Sequence, residues 1–155
     1  MEKEVFDFLL NNIKNWCAYQ ERCQQDVRDK LYILRQKISL DAIDEIITIL
    51  ITENYINEER FAVAFAGGKF RIKKWGRIKI KTQLKQRQIS DYSIKKALSA
   101  IDPDEYFNTM KEVVLKKRSG LRGESDKIRF NYKLLRYAQS RGFETDLILE
   151  VLKDI

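Results

Sequence analysis

The sequence predicts an all-α fold, an elongated tandem array of three three-helix repeats, and three observations carry that reading. Three stretches overlay without gaps: "KISLDAIDEIITIL" (37–50), "QISDYSIKKALSAI" (88–101) and "GFETDLILEVLKDI" (142–155). A second amphipathic segment precedes each of them, and a helix-start signal precedes that. Strands have no clear place: "RIKI" (77–80) alternates, but it runs straight into the helical spacing of Ile80 and Leu84.

The overlay is built on Ile38, Ile89 and Phe143 as a shared origin. Five residues on stand Ile43, Ile94 and Ile148; eight on, Ile46, Ala97 and Val151. Nine on stand Ile47, Leu98 and Leu152, and twelve on, Leu50, Ile101 and Ile155. These offsets give the i, i+3, i+4, i+7 stripe of an amphipathic helix three times over. Five residues before the origin lie Ile33, Leu84 and Ala138, and nine before it Ile80 and Leu134. Asp29 breaks the first copy, where Val27 and Leu31 suggest a small change of length. Between the two helices comes a turn, with Ser39 and Ser90 as N-caps whose hydroxyls can accept from orphan amides. The third turn has Gly142 followed by Glu144 and Thr145.

The opening helix of the second unit follows Asn57, a capping residue, in "NEERFAVAFA". That of the third follows Asp102, with Pro103 at the first helical position, where a missing N–H costs nothing. In the first unit the matching helix falls within residues 4–23, where Phe6, Trp16 and Tyr19 supply apolar content. The origins are spaced 51 and 54 residues apart. The units are therefore expected over 1–56, 57–102 and 103–155, each with a thin core that needs its neighbour.

Composition removes several chemistries. The chain has 155 residues and no histidine, which excludes Ser–His and Cys–His nucleophiles and imidazole metal ligation. Cys17 and Cys23, six apart, suit neither a zinc site nor a redox pair and are expected as reduced thiols. Asp41, Asp44, Glu45, Glu58 and Glu59 stand at helix starts, where acids complement the macrodipole, although such clusters could hold Mg²⁺. No cofactor is implied. The longest apolar runs, such as "IITILI" (46–51), are too short to cross a bilayer. Acids occupy the N-terminal stretch where a secretory signal needs basic residues, so a cytoplasmic protein is expected.

Charge is strongly segregated. The chain carries 30 basic and 23 acidic residues, yet no Asp or Glu occurs from Arg60 to Ser90, where ten basic residues stand. The remainder holds 20 basic residues against all 23 acids, so the positive balance belongs to the middle third. A helix from about Arg77 to Arg87 puts Ile80 and Leu84 on one face and Lys81 and Lys85 on a neighbouring strip, with Arg77 above them. Lys73 and Lys74 precede a turn at Trp75–Gly76, and Lys79 lies within the helix. In the third unit Arg129, Lys133 and Arg136 fall together, opposite Leu134 and Ala138. Two readings stay open: lysines solvating a helix face, or contact with a polyanion. The missing acids leave self-repulsion uncompensated and favour the second, as sequence-independent phosphate contact. Gln83, Gln86 and Gln88 do not form one stripe, so base-specific readout has weak support.

Trp75 could stack on a base, or plug a helix joint beside Gly76; packing is the favoured reading. "AGGKF" (66–70) lacks the first glycine and the Ser/Thr of a phosphate loop. Gly67–Gly68 is expected to weaken or bend the end of its helix.

"NEERFA" (57–62), "KFRIKKWGRIKIKTQLKQRQIS" (69–90) and "KLLRYAQSRGFETDLILEVL" (133–152) resemble the RecX family, bacterial regulators of the RecA recombinase. The matching residues are Arg60, Phe61 and Ala62; Trp75 and Gly76; Ile80 and Leu84; Ile89; and Arg141, Gly142 and Phe143. Weaker similarity reaches back to "DVRDKL" (26–31). The family's paired aspartates are Asn57 and Glu58 here, which leaves helix capping intact. The glycine of its Lys-Gly-Ile turn is Gln88, so that turn is expected not to need a positive φ.

The resemblance implies a non-enzymatic modulator with tandem three-helix repeats. Such a protein binds the groove of the RecA–single-stranded DNA filament, usually depresses ATPase and strand exchange, and acts in DNA repair and the SOS response. It also binds single- and double-stranded DNA without strong sequence preference; a monomer is expected, with no membrane partner. The residues expected at the DNA or filament contact rest on electrostatics: Lys73, Lys74, Arg77, Lys79, Lys81, Lys85, Arg87, Arg129, Lys133 and Arg136. The alternative is a helical DNA-binding protein, a transcription or nucleoid factor independent of RecA. An enzyme has the least support, because no convergent acid–base or nucleophile set is visible.

Overall fold

A computed structural model describes residues 2–121, 123 and 125–155. Among the described residues there are nine α-helices and no strand. They run α1 Lys3–Tyr19, α2 Gln24–Tyr32, α3 Leu40–Thr52, α4 Glu58–Gly68, α5 Arg77–Gln86, α6 Asp91–Ser99, α7 Pro103–Gly120, α8 Lys127–Ser140 and α9 Thr145–Asp154. One π-helical turn, Lys69–Lys73, continues α4 beyond its two glycines.

The helix starts follow the capping chemistry of the sequence. Ser39 accepts from the Ala42 amide at 3.1 Å and Asn57 from that of Arg60 at 2.9 Å. Ser90 accepts from the Ser93 amide, Asp102 from Glu105, and Asp126 from Ile128. Each such bond is worth about 1 kcal/mol against alanine. Glu144, before α9, makes no such bond because its carboxylate is engaged elsewhere.

The apolar stripes become two cores. Ile13 and Cys17 of α1 meet Val27 and Leu31 of α2 and Ile43, Ile46, Ile47 and Leu50 of α3, closed by Ile38 and Ile56. From Phe61 onward a single continuous core runs through α4 to α9, with Ile80, Leu84, Ile94, Met110, Leu134, Phe143 and Ile148 at its centre. The second and third units therefore share their interior, whereas the first closes its own. Cys23 is the residue of the first unit that enters the larger core. The exposed area is 10115 Å² for 18.5 kDa, against about 8,200 Å² for a compact monomer of that mass. The array is elongated.

Three expectations need correction. Ile33 is 76% exposed, because Leu31 and Ile38 stand seven apart where Leu84–Ile89 and Ala138–Phe143 stand five apart. The two extra residues form a looser turn, and Val27 and Leu31 take the buried places instead. Tyr19 is 84% exposed at the end of α1 and contributes nothing to the core. Gln88 does adopt a positive φ, 60°. The amide of Ile89 donates to Leu84 O at 3.1 Å and that of Gln88 to Lys85 O at 2.9 Å, a Schellman ending that needs a left-handed residue. Gly142, with φ 96°, holds the same place at the end of α8.

Candidate nucleic-acid interface

The basic segment is built around a backbone seam. Lys74, with φ 55°, ends the π turn and directs the chain into Trp75 and Gly76. The Gly76 amide donates to Arg141 O at 2.8 Å and the Ile78 amide to Gly142 O at 3.0 Å, so the start of α5 is stitched to the α8–α9 turn. Trp75 is half-buried against the larger core, with Lys69 and Lys79 over its ring at 5.1 and 4.7 Å. It fills the joint, and the close approach is made at Gly76. Arg141 donates from its guanidinium to the Lys73 carbonyl and reinforces the seam.

Arg77 is half-buried and committed to the same joint. Its Nη1 donates to Glu144 Oε2 at 2.7 Å, and its guanidinium lies 3.8 Å from the Tyr106 ring centre. The Arg77 amide donates to Tyr106 Oη at 2.9 Å, and the Tyr106 hydroxyl donates to Glu144. Burial, and then the bond to Glu144, push the Tyr106 phenol above its ordinary pKa. This cluster holds the second and third units in register; the sequence pattern did not reveal it, because its members lie up to 67 residues apart.

The other cations divide among several places. Lys81 and Lys85 are exposed and, with Lys95 and Arg77, line a groove of about 670 Å³ between α5 and α6, floored by Ile94, Leu98 and Ile101. Asp91 stands 3.8 Å from Lys85 at its edge. Lys73 and Lys74 line a second groove, about 470 Å³, with Lys116, Lys117 and Arg141. Its acid is Glu112, 3.7 Å from Lys74. Lys116, Lys117, Lys95 and Arg141 enter these grooves only through tertiary folding, since each stands outside the acid-free stretch from 60 to 90. Arg87 turns the other way, over the Phe65 ring at 4.7 Å, and borders the cleft against α2 with Arg22 and Arg28. Arg129, Lys133 and Arg136 are exposed on α8.

Glu58 has a mechanical role. It accepts from the Ser90 amide at 3.1 Å and from the Ser90 and Ser93 hydroxyls at 2.8 Å each, tying the start of α4 to that of α6. Desolvation raises its pKa, but the Ser93 and Ser90 bonds outweigh it and leave the carboxyl below its ordinary range. Cys17 and Cys23 are free and buried. Burial foremost pushes the Cys23 thiol up to about 11, so it stays protonated near neutrality. Among the described residues no helix is long and apolar enough to cross a membrane.

Comparison with known proteins adds independent support to this architecture. The model of the second three-helix domain of RecX matches residues 57–98, and that of the third matches residues 104–152. The chain belongs to the RecX family. The regulatory protein RecX of Clostridium acetobutylicum is 31% identical over 137 residues, covering 86% of this chain and 62% of that protein. The RecX protein of Streptococcus uberis is 28% identical over 146 residues, covering 94% of this chain and 55% of its own length. The chain thus spans about three-fifths of the curated RecX proteins it first matches. The crystal structure of RecX from Lactobacillus salivarius superposes with a TM-score of 0.83 at 24% identity, over 99% of this chain and 97% of that one, which shows the common fold.

Proposed function

We propose that this RecX-family chain is a non-enzymatic regulator, in the inhibitory sense, of the RecA recombinase. It binds along the groove of the RecA–single-stranded DNA filament and lowers ATP hydrolysis and strand exchange during DNA repair and the SOS response. Its units, 1–56, 57–102 and 103–155, act as one elongated cytoplasmic monomer. The contact residues are Lys73, Lys74, Lys79, Lys81, Lys85, Arg87, Arg129, Lys133 and Arg136, with Arg77 supporting them from the joint. DNA alone, single- or double-stranded, is bound with little sequence preference.

The observation that carries this reading is a family match over two of three units, coupled to an acid-free stretch of ten cations. A filament of DNA and protein is a long repetitive polyanion, and an elongated array whose middle third carries ten cations and no acid of its own matches it in sign and shape. The test is ATP hydrolysis by the cognate recombinase on single-stranded DNA as this protein is titrated in. A fall in rate near stoichiometric binding is expected. Unchanged rate and unchanged filament lifetime would overturn the proposal, and DNA binding without any such effect would favour a role outside recombination.

A further inference from the structure

The α8 helix carries a feature that phosphate contact alone does not explain. From Lys127 to Phe143 the chain has no Asp or Glu, a second acid-free stretch, with Lys127, Arg129, Lys133, Arg136 and Arg141 as its cations. Leu134 and Ala138 are buried at 1% and 0% and fix the inner face of the helix. At 100° per residue, Arg136 and Arg129 point most directly away from that face, with Tyr132 about 40° to one side of Arg136 and Ile128 about 40° beyond it. Ile128 is 83% exposed and Tyr132 59% exposed, large apolar groups left in water on a helix whose other apolar residues are buried or half-buried. Among the described residues, Arg129 and Arg136 have no carboxylate at ion-pair distance, unlike Arg77 and Lys74.

We infer that this outer face of α8 is a stacking site for single-stranded nucleic acid. Tyr132 receives a base on its ring and Ile128 extends the apolar platform by one turn. Arg129 and Arg136 hold the flanking phosphates. An exposed ring bracketed by uncommitted guanidinium groups suits unpaired nucleotides, whose bases are free to turn outward and lie on it. A duplex keeps its bases stacked inside and offers only phosphates to the same cations. An acidic protein surface would match the charge but leave the ring unused. The helix also leads somewhere: Tyr137 and Arg141, four and eight residues past Lys133, line the groove that holds Lys73, Lys74, Lys116 and Lys117. The strand leaves the stacking face along that row.

This inference rests on the polyanion role proposed for the flank and names its ligand and mode of contact. The test uses the full chain, without recombinase, and anisotropy of labelled oligo-dT compared with an oligonucleotide of equal length and charge whose central nucleotides are abasic. The wild type is expected to bind oligo-dT more tightly than the abasic strand. Tyr132→Ala should lose about fivefold or more on oligo-dT and little on the abasic strand, while Tyr132→Phe retains wild-type affinity for both. Arg129→Ala with Arg136→Ala should weaken both strands alike and flatten the salt dependence. Equal binding of both strands by the wild type, an unchanged Tyr132→Ala affinity, or no binding of oligo-dT at all would overturn the inference. Because no recombinase is present, each result is separable from the ATP hydrolysis assay.

Discussion

Gly76 lies so close to Gly142 that a side chain on Gly76 would strike the Gly142 backbone. A Cβ on Gly76 would stand 2.3 Å from the Gly142 carbonyl carbon and oxygen, and one on Gly142 would meet Lys79 Cβ at 2.4 Å. The contact is backbone against backbone, within a seam whose two hydrogen bonds measure 2.8 and 3.0 Å. No rotamer change can relieve it. It joins the second unit to the third at the point where their cores merge.

Gly76→Ala should therefore cost stability by separating the two units, by about 2 kcal/mol or more, as overpacking against an immovable neighbour does. Urea unfolding followed by circular dichroism measures it. A Gly76→Ala midpoint equal to wild type would show that the seam yields easily and does not hold the units together.

Gln88 makes the opposite case. Its φ of 60° puts a side chain where glycine is favoured, and the Schellman bonds to Leu84 and Lys85 keep it there. Gln88→Gly removes a left-handed penalty of about 1 kcal/mol, partly offset by greater freedom of the unfolded chain. A net gain of about 0.5 kcal/mol, or about 1–2 °C in Tm, is expected. A lower Tm for Gln88→Gly would mean that the amide side chain makes an interaction that compensates for the strain.

The contrast between these two positions shows what the sequence carried. The repeat was legible because Ile43, Ile94 and Ile148, and Ile46, Ala97 and Val151, recur at helical spacing and are all buried. Caps at Ser39, Asn57, Ser90 and Asp102 were legible because capping is local. Ile33 misled because a two-residue insertion shifts the register yet leaves an apolar residue at the overlaid position, so that only Asp29, four residues earlier, betrays the shift. Gln88 misled because a left-handed residue is dictated by helix geometry and not by side-chain identity. Exposed strips on α5 and α8 follow from periodicity. The commitment of Arg77 to Glu144 and Tyr106, and the recruitment of Lys116, Lys117 and Arg141, arise from contacts between distant segments that no window of sequence contains.

Glu58 predicts a pH dependence. Its pKa in the folded protein lies below the unfolded value, because the Ser93 and Ser90 donors favour the carboxylate. The contribution to stability is then complete above the unfolded pKa and is lost as pH falls through the folded one. Glu58→Gln should flatten the acid limb of a Tm-against-pH curve through and below the ordinary glutamate range, with the difference from wild type shrinking toward low pH. Parallel curves would show that the carboxylate's charge is immaterial to the α4–α6 tie.

The cations of the flank separate into contact and support, and substitutions can tell the two apart. Lys81 and Lys85 are exposed on α5, and the Lys85–Asp91 pair is loose, with 53% and 86% of the two side chains exposed. Surface pairs of this kind contribute little to stability. Lys81→Glu with Lys85→Glu should leave the urea midpoint within about 0.5 kcal/mol of wild type. The same pair should weaken association with single-stranded DNA and with the recombinase filament and lower the salt slope by roughly 0.7 for each phosphate contact removed. Arg77→Ala should behave in reverse. It leaves the Glu144 carboxylate without its partner beside Tyr106 and exposes the ring it covered, so a loss of about 1–3 kcal/mol is expected. Binding measured below the unfolding transition should fall far less than for the lysine pair. If Arg77→Ala instead abolishes DNA binding at unchanged stability, the guanidinium turns outward to the ligand and the joint with Glu144 is not its working position.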